Sequence, residues 1–203
     1  PSPRERRPRM PALLDRIVDR QLATQERALG GGSLAYLRDL WRVAPGAFVA
    51  FVRARPFLGY AGRALLAAAY HVARIGATRA EDCGTCVQIT VNLARAAGVP
   101  LAVVRAAATG EPEALPDDLA AVYRFAVAVA RADTAGAEAE RPALLDRFGE
   151  AGIATLAVGI AGARTFPTLK RVRARRPRLR ARAAVSRARA RTGGVALGAG
   201  ADS

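Results

Sequence analysis

The chain has 203 residues, 51% of them apolar and only 5% aromatic, which is enough for one domain with a sizeable core and favours helices over sheets. No apolar run reaches the eighteen or so residues of a membrane-spanning helix, and no apolar stretch follows the basic N-terminus. A transmembrane segment and a signal peptide are therefore not expected, and a cytoplasmic location is. The net charge of +15 is uneven: residues 164–203 hold twelve of the 32 basic residues and one of the 17 acidic ones, leaving +4 for residues 1–163.

In chain order, residues 1–10 are rich in Pro and Arg and read as a disordered arm. Leu14, Ile17, Val18 and Leu22 form a helical stripe over residues 11–29, which Gly30-Gly31-Gly32 ends. Ser33 is a candidate N-cap for a helix through Trp41 and Val43. Pro45-Gly46 opens a short helix that Pro56 stops. Leu58 to Arg74 reads as a long buried helix, with Gly76 and Thr78 in the connection after it. Asp82 is placed to cap a helix from Cys83 to Ala97, which Gly98-Val99-Pro100 stops. A short helix over 101–108 follows, then one from Pro116 to about Arg131, a loop of Ala, Gly and Glu, and two helices carrying Leu144 to Phe148 and Ile153 to Ile160. No alternating strand pattern competes. The expectation is an all-α bundle of about eight helices, with N-terminal helices at 11–57, a core at 58–166 and an Arg-rich, disordered tail at 167–203.

The chain has two cysteines, three positions apart, in Cys83-Gly84-Thr85-Cys86. Such a pair either cycles between dithiol and disulfide or supplies two metal ligands, unless both are buried small apolar side chains. With His71 as the only histidine, a closed zinc site is one ligand short within the chain, and a carboxylate or a second subunit would have to complete it. Near the start of a helix, Cys83, Cys86 and Thr90 share one face. Unpaired N–H groups there stabilise a thiolate, and thiol pKa values at such sites fall to about 3.5–7.5. His71 is the natural proton carrier, or else a structural histidine of an Ala-rich helix. Glu81 can relay protons or simply be solvated.

Tyr70-His71-Val72-Ala73-Arg74, Glu81-Asp82-Cys83-Gly84-Thr85-Cys86, Val91-Asn92-Leu93-Ala94 and Ala97-Gly98-Val99 together resemble the carboxymuconolactone decarboxylase superfamily, and within it the alkyl hydroperoxidase D-like branch that carries C-x-x-C. Leu115-Pro116-Asp117-Asp118 with Tyr123 and Phe125 resembles that family's second helix, so the likeness spans about 58–163. It implies a homo-oligomer (dimer, trimer or hexamer) that reduces peroxides or exchanges disulfides with the help of a thiol reductant. Cys86 would attack and Cys83 would resolve the intermediate to a disulfide. The family places a glutamate twelve residues before the first cysteine and a histidine four after the second, where this chain has His71 and Thr90. The resemblance thus implies a site of Cys83, Cys86, His71 and Thr90; Glu81 joins it as a residue flanking the motif, and no cofactor or metal is expected.

The run at 170–191 can neutralise phosphates of nucleic acid or meet an anionic lipid surface, but has no aromatic residue for base stacking. The alternative to an enzyme is a non-catalytic all-α interaction protein with a nucleic-acid-binding tail.

Overall fold

The computed structural model describes the backbone of residues 12–192 and the side chains of residues 12–172. Among the described residues there is no strand. The elements are α1 (Ala12–Ala28), α2 (Ala35–Val43), α3 (Pro45–Arg53), α4 (Arg55–Leu58), α5 (Ala67–Ala80), α6 (Gly84–Ala96), α7 (Leu101–Thr109), a 3-10 turn (Pro112–Ala114), α8 (Asp117–Arg131) and α9 (Thr134–Thr192). No helix among the described residues is long and apolar enough to cross a membrane. The expected arm at 1–10 lies outside the described residues, as do residues 193–203.

Helix α5 is the centre of the bundle and packs against α6, α7, α8 and α9. Its residues from Val72 to Thr78 are all buried, an outcome of an Ala-rich sequence with apolar side chains on every face. Val72, Ile75, Val104, Val122, Leu144, Leu156 and Ile160 are the large, fully buried aliphatic side chains of this core, each contributing about 1.5–3 kcal/mol by burial. A second, smaller cluster of Leu22, Leu34, Leu37, Trp41 and Phe48 holds α1, α2 and α3 together. Asp118 and Asp117 sit in the first turn of α8, where the free N–H groups favour negative charge.

Several boundaries differ from the sequence expectation. Residues 59–66 are not helical, and α5 instead runs on to Ala80, through Gly76 and Thr78. Gly76 stands within the helix where Tyr123 of α8 packs closely against it: a Cβ there would stand 3.2 Å from the ring. Pro56 opens α4 rather than stopping α3, using the first helical turn where a missing N–H is harmless. The N-cap of α2 is Leu34, not Ser33, and its N–H donates to the Glu26 carboxylate at 2.6 Å.

The Ala, Gly and Glu stretch expected as a loop forms the first part of α9, which breaks only at Gly149 (φ 65°, ψ −179°), a backbone region open essentially to glycine. Helix α9 then continues to Thr192, with Pro167 fully buried and Arg171 bonded to Glu81, so packing on the bundle extends past the boundary expected at 166. The arginine side chains of the run from 173 onward lie outside the described residues.

Candidate functional site

Helix α5 ends in a tight turn. Glu81 follows its last residue, Asp82 adopts φ 51°, and Cys83 is the N-cap of α6. The expected cap at Asp82 is therefore displaced by one residue, and no side chain bonds to the free end of α6. The Cys83 carbonyl accepts the N–H of Val87 at 2.9 Å, closing the first turn. Cys86 is the third helical residue, among the N–H groups that have no partner within the helix. The two cysteines are joined as a disulfide, with Cα atoms 5.2 Å apart.

The two sulfurs face different surroundings. Cys83 is half-buried, whereas Cys86 is 8% exposed and opens onto a cavity of about 650 Å³. Its floor is α5 and α6, which contribute Arg74, Thr78, Thr85, Cys86, Ile89 and Thr90. Its cover comes from the N-terminal helices, with Ile17, Leu22, Phe48 and Phe51, and its side from Ala163, Phe166 and Lys170 of α9. The cavity is thus the space between the two hydrophobic clusters, bridged at its side by the edge-on contact of Phe51 with Phe166, 5.8 Å between centroids.

Of the residues expected at the site, Cys86 and Thr90 line this cavity and Cys83 is bonded to the first of them. The Thr90 hydroxyl donates to the carbonyls of Val87 (2.8 Å) and Cys86 (3.3 Å), so its bond is to the backbone of the cysteine rather than to its sulfur. His71 and Glu81 are not among the lining residues.

His71 lies on α5 one turn before Arg74, packed edge-on to Tyr70 at 5.3 Å. Its Nδ1 is buried with no hydrogen-bond partner. Burial and, second, the positive charge of Arg74 push its pKa below the usual 6.5, so the ring is neutral at pH 7. Burial alone would raise the Glu81 carboxyl, but hydrogen bonds from Arg164 (2.7 Å) and Arg171 (2.9 Å) outweigh it and hold the group below its usual range. Arg171 also donates to the Glu81 carbonyl at 2.6 Å. Glu81 therefore ties the turn that carries the cysteines to α9.

Arg74 and the apolar cover escape a sequence reading. Arg74 is 6% exposed; its Nη1 donates to the Leu58 carbonyl and the Tyr70 hydroxyl, both at 2.9 Å. The available signal was a single arginine in a run of Ala, Val and Ile. Among the described residues no group of three or more His, Cys, Asp and Glu side chains is placed to hold a metal ion. Comparison with protein-family models, with curated proteins and with solved structures finds no match to this chain.

Proposed function

We propose that the chain is a thiol–disulfide oxidoreductase able to reduce organic peroxides, in the manner of the alkyl hydroperoxidase D-like proteins its C-x-x-C segment resembles. The observation that carries the reading is the placement of Cys86: bonded to Cys83, at the unpaired N–H end of α6, and open to an apolar cavity. In the reduced protein those N–H groups favour negative charge on sulfur. The Cys86 thiolate attacks the outer oxygen of a hydroperoxide, R–OOH. The O–O bond breaks, a proton is taken up, and R–OH leaves with Cys86 as the sulfenic acid. The Cys83 thiol then displaces the hydroxyl as water and forms the disulfide. The two electrons come from the dithiol, and an external thiol restores it by exchange at the more exposed Cys83.

His71, neutral at pH 7, is proposed as the proton carrier, acting through solvent because it is not on the cavity wall. Thr90 contributes a hydroxyl oxygen to that wall. We assign Glu81 to holding the turn rather than to proton transfer. A reducing compartment such as the cytoplasm suits the cycle. Self-association is proposed from the same resemblance.

Free-thiol counting tests the reading. The reduced wild type is expected to lose both thiols on addition of an organic hydroperoxide. Cys86→Ser should keep its remaining thiol, and Cys83→Ser should stop at a sulfenic acid trappable by dimedone. Unchanged thiols in the wild type would reject the proposal.

A further inference from the structure

The cavity wall carries three cations, Arg55, Arg74 and Lys170, and no acidic residue. Arg55 is exposed and Lys170 half-buried, but Arg74 sits inside, and among the described residues no carboxylate pairs with it. A buried guanidinium without a counter-charge is an unfavourable arrangement for stability alone. Of its nitrogens only Nη1 is hydrogen-bonded, to Leu58 and Tyr70, and its Cζ lies 5.3 Å from the centre of the Tyr70 ring; Nε and Nη2 make no hydrogen bond within the described residues. Those two nitrogens form the side edge of the guanidinium, whose parallel N–H groups match the two oxygens of a carboxylate. The rest of the wall is mainly apolar, with Leu22, Leu37, Phe48, Phe51, Ile89 and Leu93, and its uncharged polar side chains include Gln21, Gln25, Ser33 and Tyr36. Its volume of about 650 Å³ lies within the range of small-molecule sites, roughly 300–1,000 Å³.

We infer that the cavity is a binding site for an aliphatic carboxylic acid, with the carboxylate on the free edge of Arg74 and the hydrocarbon chain between the N-terminal helices and α6. Each part of the ligand meets its complement: a single negative charge against an unpaired buried cation, and a chain against aliphatic and aromatic side chains. Thr78 and Thr90 add little polarity to the wall, because both hydroxyl protons are given to backbone carbonyls. The bound chain lies against Cys86, which shares the wall. The inference stands independently of the redox reading, since it needs neither thiol.

Isothermal titration of the full chain, oxidised and reduced, with octanoate, decanoate and dodecanoate beside their methyl esters tests it. Saturable binding is expected in both redox states, tightening by about fourfold per added methylene. The acids should bind about tenfold to a hundredfold more tightly than the esters. Arg74→Gln should remove that preference while retaining ester binding. Ile89→Trp, which fills the space beside Cys86, should weaken both and serves as the second variant if Arg74→Gln does not fold. The inference is overturned by equal binding of acid and ester to the wild type, or by an acid preference that survives Arg74→Gln. It is equally overturned by unchanged binding to Ile89→Trp, or by no saturable binding, as when residues 1–11 or a second copy fill the cavity. None of these results touches peroxide-dependent thiol loss, which is read separately.

Discussion

His71 and Arg74 stand one turn apart on α5, a histidine kept neutral by burial beside a buried guanidinium. The histidine has a consequence for stability. Its folded pKa lies below the usual 6.5, so as pH falls through that value the unfolded chain binds a proton that the folded chain refuses. The contribution is complete above about pH 6.5 and is lost as pH falls toward the folded value, with a slope of at most about 1.4 kcal/mol per pH unit for one proton. Glu26 and Glu81, both shifted downward from 4.5, lose their contributions only below about that pH. Urea denaturation of the wild type is therefore expected to show a loss of stability below about pH 6.5, and His71→Gln a flatter curve there. An identical acid slope in the two proteins would show that His71 is not the group responsible.

Legibility at this scale follows from how local the physics is. The helix-start placement of C-x-x-C could be read because a turn followed by the Gly98-Val99-Pro100 stop fixes α6 within a residue or so. The free edge of Arg74 could not, because nothing in the sequence tells which carbonyl holds its other side; that carbonyl belongs to Leu58, sixteen residues away.

Among the elements, α1 and α2 are joined by a polar contact as well as by leucines. Glu26 of α1 accepts two bonds from Arg38 (2.7 and 2.8 Å) and one from the N–H of Leu34 at the head of α2. The Arg38 bond first, then the Leu34 bond, lower its pKa from 4.5 to about 2. Its stabilising effect is thus full above about pH 4.5 and lost as pH falls toward 2. Glu26→Gln keeps an acceptor but not the charge, and is expected to cost about 1–2 kcal/mol at neutral pH and to flatten the acid limb in that window. Denaturant titrations at neutral and acid pH measure both.

Helix type was easier to read than helix ends. The Leu58–Ala80 region shows why: an Ala-rich run gives no period to mark where a helix begins, and Gly76 breaks nothing when a tyrosine of a neighbouring helix needs its space. The stretch before Leu144 is helical for a similar reason: its alanines and glutamates are good helix formers, and Ala137 and Leu144 bury against the core.

For the molecule as a whole, the two hydrophobic clusters set a hierarchy. The core of α5 to α9 contains the large, fully buried aliphatic side chains, whereas the N-terminal cluster has five members and rests on the core partly across a cavity. Its ties include the Asn92 side chain donating to the Leu29 carbonyl at 2.9 Å and the Phe51–Phe166 contact. Helices α1 to α3 are accordingly expected to exchange amide hydrogens faster than α5 and α8, by local opening that leaves the core closed. Hydrogen-exchange mass spectrometry checks this: equal protection of the two parts would mean that they open as one unit. All-α architecture was legible from composition and turn residues. The division into cover and core, and the gap between them, depends on contacts distant in sequence and was not.

One glycine gives that gap its fixed end. Gly162 of α9 lies so close to α4 that a Cβ would stand 2.8 Å from the Leu58 carbonyl oxygen, the same oxygen that holds Arg74. A methyl group at 162 has backbone on its far side and nothing flexible to displace, so Leu58 itself must retreat. For the carboxylate site inferred above, this makes Gly162 a remote determinant of specificity. A residue absent from the cavity lining sets the aim of the buried cation, and ligand choice here can change by substitution on the back of α9 with the lining intact.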